Sequence, residues 1–319
     1  MNILCVSTAA ITTPPAQDGY GGMEREMAWL IRGLKELGHH AGLVGKPESK
    51  AEVDMLYASD DEKKYPQLVS EAIKDYDIII DFSHDKTIGR EWPDKPQINT
   101  YQVMTISHRV NPVFISYGQR RHIGIDGPVI YYGIDLNVYP CYDGPRDDYL
   151  LYVGSLIIEK RPHWVAELAQ LTGHKAVIAG PRWQQEYWPT IDQFSQLDHV
   201  TVLDEVAGQE KLELIQRAKA LVHPVGGKGW VEAGAIIVLE ALACGTPVIC
   251  TSNGCLPEYI SHNLNGFMGA NVPEMMIGVN SLWSIQPGRC RLSVKHFNYQ
   301  RMVRDYESLA TEVIGGKRW

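Results

Sequence analysis

The sequence lacks an excess of positive charge: 319 residues carry 30 Lys plus Arg against 38 Asp plus Glu, a formal net charge of −8. Residues 1–135 hold 14 basic and 19 acidic side chains (−5), and residues 136–319 hold 16 and 19 (−3). Neither half is a polycation, so a nucleic-acid backbone or an anionic membrane is not expected as the main partner. Arg120-Arg121-His122 is too short a basic cluster to change this. No apolar run reaches the roughly 18 residues of a membrane span, because Glu240 interrupts the best candidate. The start, Met1-Asn2-Ile3-Leu4-Cys5-Val6, has neither the basic flank nor the length of a signal segment, which reads as a cytoplasmic protein. C-x-x-C pairs, zinc-ligand spacings, a P-loop and a nucleophile-elbow serine are all missing, so no metal is expected. Gly19-Tyr20-Gly21-Gly22 is too irregular for a dinucleotide fingerprint, and no acidic residue ends the second strand. The six scattered cysteines read as buried thiols of a reducing compartment.

What is present is a 45% hydrophobic chain long enough for two domains of roughly 100–200 residues each. Ile3–Ser7 reads as a strand, followed by a glycine-rich turn at Asp18–Gly22. Met23, Met27, Leu30, Ile31, Leu34 and Leu37 then recur at helical spacing, with Gly38 as the stop. Ala41–Val44 and the unbroken apolar stretch within Asp77–Phe82 read as buried parallel strands, with shorter candidates at Gln97–Thr100, Val113–Ser116 and Val129–Tyr132. A polar stretch then runs to Asp148, and a second cycle opens at Leu150–Gly154. It continues as helix 162–171, strands 176–179 and 200–203, helix 209–218, strand 220–223, helix 235–244 and strand 247–251, before a final helix in the last 30 residues. The expected class is α/β, two Rossmann-like doubly wound domains. The boundaries are residues 1–135, a linker at 136–148, residues 149–290, and a terminal segment at 291–319.

The sharpest constellation is Glu232, seven residues, then Glu240, within a run ending Ala241-Leu242-Ala243-Cys244-Gly245-Thr246-Pro247. Gly234, Ala235 and Ile236 open a helix whose first amides have no intrahelical partner and favour a phosphate. Glu240, about one and a half turns inside, is placed to accept both hydroxyls of a ribose, and Glu232, just before the helix, to hold a sugar. Charge-assisted hydrogen bonds of this kind contribute roughly 1.5–3 kcal/mol each. Asp75-Tyr76-Asp77 has the form of a metal-binding D-x-D but precedes its strand, on the side away from any site, and reads as chance. Trp183, Tyr187 and Trp188 read as packing rather than as base-stacking residues.

These residues resemble a retaining, nucleotide-sugar-dependent glycosyltransferase of family four, with the GT-B fold. Gly21-Gly22-Met23-Glu24, Tyr132-Gly133-Ile134-Asp135, Leu151-Tyr152-Val153-Gly154, Glu159-Lys160 and Asn253-Gly254-Cys255-Leu256-Pro257-Glu258 carry the likeness along nearly the whole chain. The resemblance implies two domains facing a cleft, with the terminal helix crossing back to an N-terminal, acceptor-side domain. Glu240 would bind the donor ribose and Glu232 the donor sugar. Lys160, helped by Arg161, would neutralise the diphosphate, and the Gly21-Gly22 loop would approach it from the other domain. His84 would contact the acceptor or the transferred sugar, with Gln102 and His108 on the acceptor side. The reaction would move a hexose or similar sugar from a nucleoside diphosphate sugar, most commonly a UDP-sugar, to the hydroxyl of a small or soluble acceptor. It would need no cofactor and no metal. Three positions depart from the pattern: Ser155 stands for a phosphate-gripping arginine, Gln102 for a histidine, and Ala233-Gly234-Ala235 for Pro-Phe-Gly. Two alternatives stay open, a GT-B sugar-nucleotide epimerase and a catalytically impaired nucleotide- or glycan-binding module.

Overall fold

Two sheets of six parallel strands organise the computed structural model, which describes residues 1–16 and 19–319; Asp18 of the glycine-rich turn lies outside them. The strands of the first are β1 (Asn2–Val6), β2 (His40–Gly45), β3 (Met55–Ala58), β4 (Ile78–Asp81), β5 (Gln97–Tyr101) and β6 (Pro112–Phe114), in the order β3-β2-β1-β4-β5-β6. Those of the second are β7 (Tyr149–Val153), β8 (Lys175–Ala179), β9 (Val200–Leu203), β10 (Ala220–His223), β11 (Val248–Cys250) and β12 (Gly266–Met268), in the order β12-β11-β10-β7-β8-β9. Both sheets therefore follow one topology, and each reverses its winding at a single point, between β1 and β4 and between β7 and β10. In doubly wound sheets such a point, at the carboxyl ends of the strands, opens a crevice for ligands.

The central strands are apolar without alternation because helices cover both faces. Ile3, Leu4, Cys5, Val6, Ile78, Ile79 and Ile80 are all completely buried. The chain divides into two compact units, Met1–Ile134 with Phe297–Trp319, and Asp135–His296. In the first, helix Gly22–Glu36 buries Met27, Leu30, Ile31 and Leu34. Helix Tyr299–Ile314 lies close against it: a Cβ on Gly33 would meet Val303 Cγ2 at 2.4 Å. Tyr306 of that helix shares a hydrogen bond with Thr100 (2.9 Å), and Glu307 pairs with His39 (2.8 Å).

In the second unit the stretch read as a linker is fastened by two arginines. Arg146 donates to the carbonyls of Gln216 and Gly245 (2.7 and 2.8 Å) and to Thr246 Oγ1 (2.7 Å). Arg291 donates to the carbonyls of Leu136 and Ala243 (2.7 and 2.9 Å).

Three expectations need correction. Residues 129–132 form no strand: Val129 makes one isolated bridge to Phe114, and Ile134 then pairs with Asn298 of the returning terminal segment. Gly133 leaves the space for that segment, since a Cβ there would meet Tyr299 Cα at 2.5 Å. Five cysteines are buried, but Cys141 is exposed, and all six are free. Trp183 and Trp188 are also exposed rather than buried, whereas Tyr187 is buried and bonded to His163 (2.6 Å). Asp75 and Asp77 hold the amino end of β1 through Asn2, the Asp77 carboxylate at 2.7 Å and the Asp75 carbonyl at 3.0 Å.

Candidate functional site

Within the second unit, the loops after β7 and β10 leave the sheet side by side at its reversal point. Lys160 ends a short helical turn, Ile158–Lys160, and Arg161 follows in the left-handed region (φ 50°) before helix Pro162–Thr172 begins. The Arg161 guanidinium is engaged in tying the loops together: it donates to the Gly226 carbonyl (2.8 Å) and stacks over Trp164 (4.3 Å). Lys160 instead turns to Glu232, Nζ to Oε2 at 3.2 Å, with its ammonium 5.9 Å from the Trp230 ring.

Glu232 is held from three sides. His223 Nε2, at the carboxyl end of β10, lies 3.4 Å from the same Oε2 atom. The Glu232 amide donates to Asn253 Oδ1 (2.8 Å), and its carbonyl accepts from the Cys255 amide (2.9 Å). Gly254 between them has φ 53°, and a Cβ there would stand 2.0 Å from the Glu232 carbonyl oxygen, so only glycine lets this loop close. Oε1 of Glu232 has no partner among the described residues. Burial raises the carboxyl pKa, but Lys160 and His223 outweigh it and hold the group at about 2. Glu232 is therefore an anchored, ionised carboxylate with one oxygen uncommitted.

Glu240 lies in helix Ile236–Ala243 and is 1% exposed. Its Oε1 accepts from the Tyr139 hydroxyl (2.6 Å) and from Lys211 Nζ (3.2 Å). The helix starts at Ala235 with no side chain capping its first amides, and Gly234 and Ile236 are half-buried beside it. That terminus carries the positive end of the helix dipole.

In the first unit, Gly21 precedes helix Gly22–Glu36 with φ 135°, and a Cβ there would meet Pro15 Cγ at 2.7 Å. Asp81 and Lys86 form a buried pair (3.6 Å) near the end of β4. The Lys86 ammonium also donates to the carbonyls of Asp81 (3.0 Å), Thr100 (2.9 Å) and Ser83. His84 pairs with Glu62 (3.3 Å), and this hydrogen bond raises the imidazole pKa against the effect of burial. A small hollow is lined by Met23, Phe82, Ser83, His84, Tyr101 and Gln102, among others. Both side-chain amide atoms of Gln102 are buried without a partner among the described residues. His108 is not part of that lining: its ring reaches Gln97 (3.2 Å) and its amide donates to Tyr101 (2.8 Å).

The structure thus gathers Lys160, Arg161 and Glu232 around one loop pair, and His84 with Gln102 around one hollow. Four residues escaped the sequence reading as partners: His223, Asn253, Tyr139 and Lys211. Two carried a signal. His223 is the one polar residue of an otherwise apolar strand, and Lys211 shares the buried face of its helix with Ile215, four residues on.

Residues 144–277 match the model of the family described as glycosyl transferases group 1. An uncharacterized glycosyltransferase of Methanocaldococcus jannaschii is 32% identical over 130 residues, 39% of this chain and 32% of that protein. O-antigen chain mannosyltransferase B of Escherichia coli is 24% identical over 120 residues, 35% of this chain and 30% of that one. The matched segment thus spans about a third of these curated relatives. Among solved structures, a glycosyltransferase involved in avilamycin A biosynthesis superposes with TM-score 0.82 at 26% identity, over 100% of this chain and 99% of that one. HepE of Anabaena, solved with UDP and glucose, superposes with TM-score 0.73 at 14% identity over 98% and 99%. The fold is GT-B. No helix among the described residues is long and apolar enough to cross a membrane.

Proposed function

We propose that this chain transfers a sugar, a hexose or similar, from a nucleoside diphosphate sugar to an acceptor hydroxyl with retention at the anomeric carbon. The observation that carries the reading is the Lys160–Glu232 pair at the reversal point of the second sheet, a cation beside an anchored carboxylate whose Oε1 is uncommitted. A diphosphate next to a sugar calls for those two groups side by side: an ammonium for the phosphate charge and a carboxylate for hydroxyls. Both lie within the segment that matches the family model. In this reading Glu240, backed by Tyr139 and Lys211, takes the ribose. The uncapped amides at Gly234, Ala235 and Ile236 face phosphate oxygens, and Arg161 keeps the loop in register.

In the proposed reaction the bond from the anomeric carbon to the β-phosphate oxygen breaks while the acceptor oxygen bonds to the same face. The acceptor proton passes to the departing phosphate oxygen. Stabilisation is then electrostatic and positional, with Lys160 and the helix terminus meeting the charge that develops on the leaving group. This design asks for no divalent cation, so activity is expected to survive EDTA. The Gly21-Gly22 loop is assigned to close approach to the diphosphate. His84 and Gln102 are assigned to the transferred sugar or a small, soluble acceptor, and His108 to their periphery.

Titration of UDP, GDP and ADP into the protein and its Glu240→Gln variant tests the assignment. UDP is the first choice because HepE of the same fold was solved with it. The variant is expected to bind its nucleotide about ten- to a hundred-fold more weakly, the loss of one charged contact. Absence of any nucleotide binding at millimolar concentration overturns the reading. Nucleotide binding without transfer to any acceptor favours a binding module instead.

A further inference from the structure

Lys160 and His223 grip the same atom. Both reach Oε2 of Glu232, at 3.2 and 3.4 Å, and not Oε1. His223 is 2% exposed, and its second ring nitrogen, Nδ1, is buried without a partner among the described residues. An ionised carboxylate only accepts, so the proton facing it must sit on Nε2. The other neutral tautomer would bury an unpaired N–H donor and turn a lone pair towards the carboxylate. The imidazole is also fixed in place. It ends β10 and lies nearly parallel to the buried Tyr152 ring of β7, with centroids 6.5 Å apart and an interplanar angle of 16°.

Under the function proposed above, on which this inference rests, a donor draws Lys160 to its diphosphate. Oε2 of Glu232 then keeps one side chain on it. We infer that His223 is the positioning residue that holds the Glu232 carboxylate in place once Lys160 turns to the diphosphate. It does so without touching the donor itself. Its contribution is therefore specific to ligands that carry a sugar. A nucleotide alone engages Lys160 and leaves Glu232 idle, so the loss of His223 passes unnoticed.

Two substitutions separate this role from simple packing. His223→Phe keeps an aromatic ring against Tyr152 and removes the N–H. His223→Gln keeps an N–H near the position of Nε2. Binding of UDP and UDP-glucose is measured for both variants and the unaltered protein, with GDP and GDP-mannose as a second pair. For the pair that binds, the free nucleotide is expected to bind all three proteins within about twofold. The sugar nucleotide is expected to bind His223→Phe about tenfold more weakly, with most of the loss recovered in His223→Gln.

Equal losses for nucleotide and sugar nucleotide, or no recovery in His223→Gln, overturn the inference. Sugar-nucleotide binding that is alike in all three proteins does the same. If the unaltered protein binds neither UDP nor GDP, the donor reading itself fails, and the inference falls with it. A second measurement needs no variant to fold well beyond assigning one signal. Nitrogen-15 NMR of the imidazoles is expected to show His223 neutral at pH 7 with its proton on Nε2, and a proton on Nδ1 overturns the inference.

Discussion

The two sheets share one strand order, yet their reversal points are furnished in opposite ways. In the first, the ammonium of Lys86 is spent within the fold: three backbone carbonyls and Asp81 surround it, and it is 1% exposed. In the second, the Lys160 side chain is 16% exposed and lies against a carboxylate that has one free oxygen. A cation saturated by carbonyls is a structural rivet, because no ligand replaces four partners at once. A cation paired with one carboxylate can exchange that partner for a phosphate at little loss. The same topology thus carries a cation buried among carbonyls in one unit and a partly exposed cation beside a carboxylate in the other.

The largest expected effect is on the rivet. Lys86→Met strips the ammonium from three carbonyls and leaves the Asp81 carboxylate buried without its counter-charge, held only by the Ser83 amide and hydroxyl (2.7 and 2.6 Å), and denaturant unfolding should register a loss of about 3–5 kcal/mol. A change under about 1 kcal/mol would remove the contrast between the two lysines. Lys160→Met should show the reverse balance. Nucleotide affinity is expected to fall about ten- to a hundred-fold, with a smaller stability loss than in Lys86→Met. Matching stability losses in the two variants would break the comparison.

Gly254→Ala sharpens it from the backbone side. The left-handed φ of 53° and the 2.0 Å approach to the Glu232 carbonyl should cost about 1–3 kcal/mol. Gly38→Ala, also left-handed (φ 84°) but with open space around its Cβ, isolates the conformational part. The remaining effects concern pH. Glu232, held at about 2 against an ordinary 4.5, contributes stability that is present above pH 4.5 and lost as pH falls through about 2. His84, raised above 6.5 by its hydrogen bond to Glu62, contributes stability that is full below pH 6.5 and lost as pH rises through its folded value. Glu62→Gln should flatten the alkaline side by less than about 1 kcal/mol, since the pair is partly open to water. Unfolding curves across pH for Glu62→Gln and Glu232→Gln check that the two ends of the scale respond separately.

Much of this was legible in the residues alone. β1, β4, β7 and β10 announce themselves as unbroken apolar runs, and Glu232 and Glu240 stand out as charges flanking one. β3 did not, because Met55 at its start is 53% exposed and the strand is only four residues long. β12, three residues, is too short to show any period. The partners of the two glutamates stayed hidden for a different reason. Lys160 was singled out, but for the diphosphate rather than as the partner of Glu232, 72 residues away, and Tyr139 lies 101 residues from Glu240. Such pairs arise from the strand order, which brings β7 beside β10, and no local pattern encodes it. Residues 129–132 show the converse error: a locally strand-like segment lost its ladder because a distant segment, 297–299, pairs with its end.

The return of helix Tyr299–Ile314 to the first unit also sets an order of assembly. Residues 135–296 form one contiguous stretch and can fold as soon as they have been synthesised. Residues 1–134 are made earlier yet must wait, because the side chains that cover Gly33, Thr100 and His39 belong to the terminal helix. The unit begun first is therefore finished last. A chain released after residue 296 would hold a complete second unit and a first unit whose helix 22–36 still lacks its cover.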